Sequence, residues 1–139
     1  MRSRIVSPAF FTDADIARLS PQAQLLFIGL LLYVDDFGNG LWLPKSIEGA
    51  VFPYTPVDIL GLLGEVQRGG FIARYTVRNT AAFKVWNFAD YQTGMRYKRQ
   101  TSIPEAPANY DWEKDAPQRP PQLVDMPVDN PVLKDSETL

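Results

Sequence analysis

From Leu25 to Val34 every position is apolar or glycine. Ser20-Pro21, just before this run, reads as an N-cap followed by proline at the first helical position, which predicts a helix from Pro21 to about Tyr33. A helix that is apolar all round lies at the centre of a domain or at an interface. Its apolar surplus predicts self-association, with a homodimer as the expected state. Upstream, Thr12 is placed to cap a short helix over Asp13 to Leu19. Downstream, Asp35-Asp36-Phe37-Gly38-Asn39-Gly40 is dense in turn formers and must end the central helix. Leu41 to Leu43 then suits one short strand, and Pro44 to Val51 a short helix ending at Phe52-Pro53. Thr55 repeats the cap pattern and opens a helix from Pro56 to about Arg68. Its Ile59, Leu62, Leu63 and Val66 form one buried stripe, and Gly69-Gly70 stops it.

The next residues alternate with a period of two. Phe71, Ala73, Tyr75 and Val77 interleave with Ile72, Arg74, Thr76 and Arg78; Phe83 and Val85 interleave with Lys84 and Trp86. Paired residues share a face, so this pattern predicts a hairpin with Val77 opposite Phe83 and Tyr75 opposite Val85. The turn is then Asn79-Thr80-Ala81, and Arg74, Arg78 and Lys84 share the polar face. Helix, helix, short strand, helix, helix, hairpin is a mainly α fold with a β-hairpin, the order of a winged helix-turn-helix.

Composition removes whole classes of chemistry. The 139 residues include no Cys and no His, which excludes a disulfide frame, the usual zinc sites, and Cys–His or Ser–His catalysis. Asp13 and Asp15 sit at a helix start, where carboxylates offset the helix dipole, and nothing like a catalytic cleft accompanies them. The expectation is a non-enzyme without cofactor or metal. The loop at Asp35 is a turn and not a calcium loop, because the position that should carry the bidentate Glu is Ser46. The basic start of the chain lacks the apolar stretch of a secretory signal. The longest apolar run is half the length that spans a bilayer, about 20 residues, so the expected setting is cytoplasmic, with no membrane partner.

Net charge is only −2, but it is unevenly spread. Residues 71–100 carry six bases and one acid; residues 101–139 carry three bases and eight acids, with seven of the twelve prolines. Proline removes amide donors and fixes φ, so the reading is a folded domain over 1–103 and an acidic, Pro-rich tail over 104–139. The basic set Arg74, Arg78, Lys84, Arg96, Lys98 and Arg99, with Trp86 and Tyr97 nearby, is the candidate DNA-binding surface, since cations neutralise phosphates and rings stack or wedge. Arg2 and Arg4 form a candidate minor-groove arm. Gly61 and Gly64, costly within a helix, call for a close packing contact, either inside the domain or with a protein partner. In the tail, Tyr110 and Trp112 are the candidate docking residues.

Several motifs also resemble a known family. Arg4-Ile5-x-x-Pro8-x-Phe10-Phe11-Thr12-Asp13, Leu25-Leu26-Phe27-Ile28-Gly29-Leu30, Asp36-x-Gly38, Pro44-x-x-Ile47 and Val51-Phe52-Pro53 look like the N-terminal winged-helix domain of phage replisome-organiser proteins, the DnaD-like phage replication initiators. Asn87-Phe88-x-x-Tyr91-Gln92 and Arg99-Gln100-x-Ser102-Ile103-Pro104 resemble the segment that closes that domain. The resemblance covers about residues 2–104. It implies a phage protein in a bacterial host cell that binds double-stranded DNA at origins and recruits host or phage replication proteins. Family members continue into a further domain or long linker, where this sequence has its acidic extension. The helix from Pro56 also departs from a base reader: its outward positions are Asp58, Gly61, Gly64, Glu65 and Arg68, whereas bases are usually read by Arg, Lys, Asn or Gln. Two expectations follow: a DNA-binding winged helix with a replication or regulatory role, or a protein-interaction module that uses the winged helix or the tail.

Overall fold

The computed structural model describes residues 1–92, 98–99 and 101–110. Two 3-10 turns, Pro8–Thr12 and Ile16–Arg18, lead into α1 (Pro21–Tyr33), β1 (Asn39–Leu41), α2 (Pro44–Val51), α3 (Ile59–Arg68), β2 (Ile72–Val77), β3 (Thr80–Val85) and α4 (Phe88–Tyr91). Among the described residues the three strands form one antiparallel sheet in the order β1-β3-β2. The architecture is mixed α/β and compatible with a winged helix. The short strand expected near Leu41 joins the hairpin as β1, so the sheet has three strands.

α1 forms where its cap predicts: the Ser20 hydroxyl accepts from the Ala23 amide at 3.2 Å, with Pro21 at the first helical position. Leu26, Phe27, Leu30 and Leu31 are buried in a single core with Ile47, Leu63, Val66 and Phe83. Of the run from Leu25 to Val34, Leu25 alone is exposed. The apolar surplus that pointed to a dimer is thus taken up by α2, α3 and the sheet of the same chain. Among the described residues no helix is long and apolar enough to cross a membrane.

Three boundaries differ from the sequence expectation, and a local polar contact explains each. The expected helix over Asp13 to Leu19 is a 3-10 turn, with Asp13 rather than Thr12 accepting from the amides of Asp15 (2.8 Å) and Ile16 (3.4 Å). β1 begins at Asn39 rather than Leu41. The Asp35 carboxylate accepts from both Phe37 and Asn39 amides at 2.9 Å and closes the turn early. Gly38 completes that turn at φ +84°, where the Phe88 side chain would also collide with any Cβ. α3 starts at Ile59, because Asp58 and not Thr55 is its N-cap, accepting from the Gly61 amide at 3.1 Å.

The hairpin register is the largest correction. Val77 pairs with Thr80, Tyr75 with Ala82, Arg74 with Phe83 and Ile72 with Val85. The turn is therefore the two residues Arg78-Asn79, both at positive φ (51° and 65°), the arrangement of a type I′ hairpin. Expecting one apolar and one polar face fails because both faces are covered. Ile72, Phe83 and Val85 face the helices and join the core. Ala73, Tyr75 and Ala82 lie on the other face and are buried as well, beneath residues 101–110. A sheet covered on both sides carries apolar residues on both, so alternation loses its power to set the register.

Candidate nucleic-acid interface

The corrected register divides the predicted basic set. Arg74 lies on the helix side of the sheet beside Phe83, its guanidinium 4.3 Å from the centre of the Trp42 ring. Lys84 lies on the opposite face, its ammonium 3.9 Å from the Glu105 carboxylate. Arg78 is exposed at the tip of the hairpin. The three do not form the common face expected of them. Trp86 is half-buried just after β3, its amide donating to the Phe71 carbonyl at 2.9 Å. Lys98 and Arg99 are exposed, with the Lys98 ammonium 5.3 Å from the Phe37 ring centre. Arg96, Tyr97 and Trp112 lie outside the described residues, as does the tail from residue 111.

The candidate arm is not presented to a groove. Arg2 and Arg4 both reach the Asp36 carboxylate, and Arg4 also donates to the Val34 carbonyl at 2.7 Å. The Arg4 side chain is 4% exposed and packs 5.1 Å over the Phe88 ring. The backbone there is held too: the buried Gln92 side chain accepts from the Ile5 amide at 3.3 Å and donates to the Ile5 carbonyl at 2.7 Å. A buried guanidinium needs its carboxylate, and Asp36 serves both arginines. It accepts in addition from the Arg99 amide at 2.9 Å. Hydrogen bonds from Arg2 first, then from the Arg99 amide, outweigh burial and hold its carboxyl down at about 2.

Asp35 works beside it. One oxygen makes the turn contacts given above, and the other accepts from the Thr101 hydroxyl at 2.8 Å. From there residues 101–110 cross the outer sheet face as a strap. Tyr75 donates its hydroxyl to the Pro104 carbonyl at 2.6 Å. Glu105 accepts from the Asn39 side-chain amide at 2.8 Å. The Tyr110 hydroxyl accepts from the Thr76 amide at 3.1 Å, and its ring packs edge-on to Tyr75. Burial, then the nearby charges of Glu105 and Asp35, push the Tyr75 phenol up, so it stays a donor. Tyr110, a candidate for docking a partner, is turned inward onto the sheet. Residues 104–110, on the tail side of the boundary expected after Ile103, pack against the domain. Asp35, Asp36, Glu105 and Tyr75 hold this arrangement together, and sequence reasoning gave none of them that role. The Asp pair was legible only as a turn, because its other partners, Arg2, Arg4, Arg99 and Thr101, lie more than thirty positions away in the chain.

α3 presents a different surface. The two carboxylates that argued against a nucleic-acid role are both engaged within the chain. Asp58 caps the helix, and Glu65 accepts from the Ser20 amide and hydroxyl at 2.5 and 2.9 Å, tying α3 to the start of α1. The glycines have internal reasons as well. A Cβ on Gly61 would strike the Asp58 cap, and Gly64 lies under the Arg68 guanidinium. Both contacts are with side chains of α3's own cap and last turn. What α3 leaves outside is Leu60, 64% exposed, then Gly61 and Arg68, with Tyr54 just ahead of the helix at 96%. Among the described residues no group of three or more acidic side chains is arranged to hold a metal ion.

No protein-family model, no curated protein and no solved structure matches this chain.

Proposed function

We propose that the protein is a winged-helix DNA-binding protein that meets duplex DNA through the outer side of α3 and the tip of its hairpin, the wing. The observation that carries this reading is Arg78. It occupies a turn position at φ 51°, where Asn or Gly is favoured and an L-residue with a long side chain costs about 1–2 kcal/mol. That cost retains an exposed cation at the point of the wing. Arg68, exposed in the last turn of α3, supports the same reading as a second outward cation. A phage origin, and a role in replication initiation or its regulation, follow from the family resemblance of the motifs in residues 2–104.

The test is a titration of fluorescent duplex DNA with the full chain at several salt concentrations. Each phosphate contact contributes about 0.9 to the slope of log affinity against log salt. Replacing Arg68 and Arg78 with Ala should weaken binding and lower that slope by about two contacts. Unchanged binding by the double variant would remove the reading. The second reading, a protein-interaction module, is favoured by Tyr54 and Leu60, two large apolar side chains left exposed at 96% and 64%, six positions apart in the chain. A pull-down from bacterial lysate, with and without nuclease, separates direct protein partners from DNA-bridged ones.

A further inference from the structure

We infer that the acidic segment following the strap, Asp111 to Asp115, docks on the wing tip and screens Arg78 from nucleic acid. The screening rests on the DNA-binding reading above; the contact itself does not. Strap and wing run toward the same point. Thr101 is fastened to Asp35, ahead of β1. Glu105 sits at Lys84, which pairs with Ala73, and Tyr110 sits at Thr76, which pairs with Ala81. The strap thus advances three rungs of the hairpin ladder toward the turn. Its last described residue, Tyr110, holds the Thr76 amide, two positions short of Arg78 along the chain.

Reach and charge set the occupant. Two strand residues span about 7 Å, so Arg78 stands about that far beyond the Thr76 amide. Five extended residues cover about 17 Å, enough to bring Asp111, Glu113 or Asp115 to the tip. The segment carries these three carboxylates against one base, Lys114, while residues 72–85 of the wing contain no acid. Arg78 is exposed and makes no hydrogen bond or ion pair among the described residues. Glu105 sets the precedent a few residues earlier, where the strap already places a carboxylate 3.9 Å from a wing cation, Lys84. A short tether gives an effective concentration of the order of millimolar, so even a weak exposed pair competes with phosphate.

The test compares the full chain with two charge-neutralised variants. The near variant combines Asp111→Asn, Glu113→Gln and Asp115→Asn. The far variant, Asp129→Asn, Asp135→Asn and Glu137→Gln, removes the same charge farther along the tail. Phenylglyoxal modification of Arg78, followed by mass spectrometry, reads the contact without DNA; titration of fluorescent duplex DNA reads the screening. At low salt the near variant should be modified about two- to fivefold faster than wild type, and should bind DNA more tightly by a similar factor, the range of exposed ion pairs. The far variant should match wild type. Both gains should fade as salt rises, because exposed charges are screened. Equal modification rates in all three proteins would overturn the inference and leave the DNA reading standing. Equal gains in the near and far variants would overturn it too, since overall charge would then suffice. Faster modification of the near variant, with no DNA binding by any of the three, would remove the DNA reading and the screening with it.

Discussion

The outer face of the sheet and the outer side of α3 invert what their residue types suggest. The sheet face carries Lys84 and lies beside the most basic stretch of the sequence, yet it is closed: Glu105 holds Lys84, and the strap buries Tyr75 to 1% exposure. The α3 side carries two carboxylates and two glycines and is open: Asp58 caps the helix from an exposed position, and Glu65 turns to the Ser20 amide and hydroxyl. Charge counted along a sequence is not charge at a surface. What decides is whether each ionised group finds its partner inside the fold. A carboxylate ringed by guanidinium and amide donors, as Asp36 is, has its charge offset, whereas one that only caps a helix keeps its charge.

The contrast predicts that stability resides on the closed side and binding on the open one. Asp36→Ala should have the largest effect, because it leaves the buried Arg4 guanidinium without its carboxylate and frees the Arg99 amide. Removing one partner of a buried pair costs about 3–5 kcal/mol, to be read from urea unfolding. The sign with pH follows from the lowered carboxyl. Asp36 carries its full stabilising contribution above the unfolded carboxyl value of about 4, and loses it as pH falls through about 2. Wild type should therefore lose stability over that window and Asp36→Ala should lose less. An unfolding midpoint for the variant within experimental error of wild type would deny that this carboxylate organises the closed side.

Cutting the chain after Gln100 should cost nearly as much. The truncation uncovers Tyr75, and a buried aromatic side chain is worth about 1.5–3 kcal/mol, with the lost Asn39–Glu105 and Tyr75–Pro104 hydrogen bonds adding to it. A truncated chain as stable as the full one would show that the strap covers the sheet without holding it. Glu105→Gln separates charge from cover, since it keeps an acceptor for Asn39 but releases Lys84. The pair is largely exposed and such pairs contribute about 0–1 kcal/mol, so stability should barely change. DNA affinity should rise less than about twofold, because Lys84 faces away from Arg74 on the sheet. A large gain in affinity would move the interface to the closed face.

How much of this was legible depends on how local its cause is. α1, α2, the stop at Gly69-Gly70 and the existence of the hairpin could be read because caps, prolines and periodicity act within a few residues. The starts of β1 and α3 were missed by two or three positions, because the deciding caps were Asp35 and Asp58 rather than the Thr and turn residues that matched the usual pattern. The hairpin register was missed for a longer-range reason. Residues 101–110 cover the second face, and nothing in β2 or β3 announces a cover supplied from so far along the chain. The arginines at 2 and 4 looked like a free arm, because their partner Asp36 stands inside an ordinary turn motif.

Arg78→Asn is expected to have the smallest effect on stability and to sharpen the comparison most. Asn accepts positive φ far more readily than Arg, and a type I′ turn prefers it. The variant should therefore be more stable than wild type by about 0.5 kcal/mol, a fraction of the roughly 1–2 kcal/mol that an ordinary residue pays at such φ. The same change removes the cation at the wing tip, so DNA binding should weaken and its salt slope should fall by about 0.9. Asn79→Gly is the companion variant. Its residue sits at φ 65° in the same turn, so it should relax the backbone to a similar small degree while leaving the charge in place and binding unchanged. Stability that rises in both variants, with binding lost only in Arg78→Asn, is the signature of a residue kept for its charge against its backbone preference. Binding retained in Arg78→Asn would mean that the wing tip does not touch phosphate, and the open side would then reduce to α3 alone.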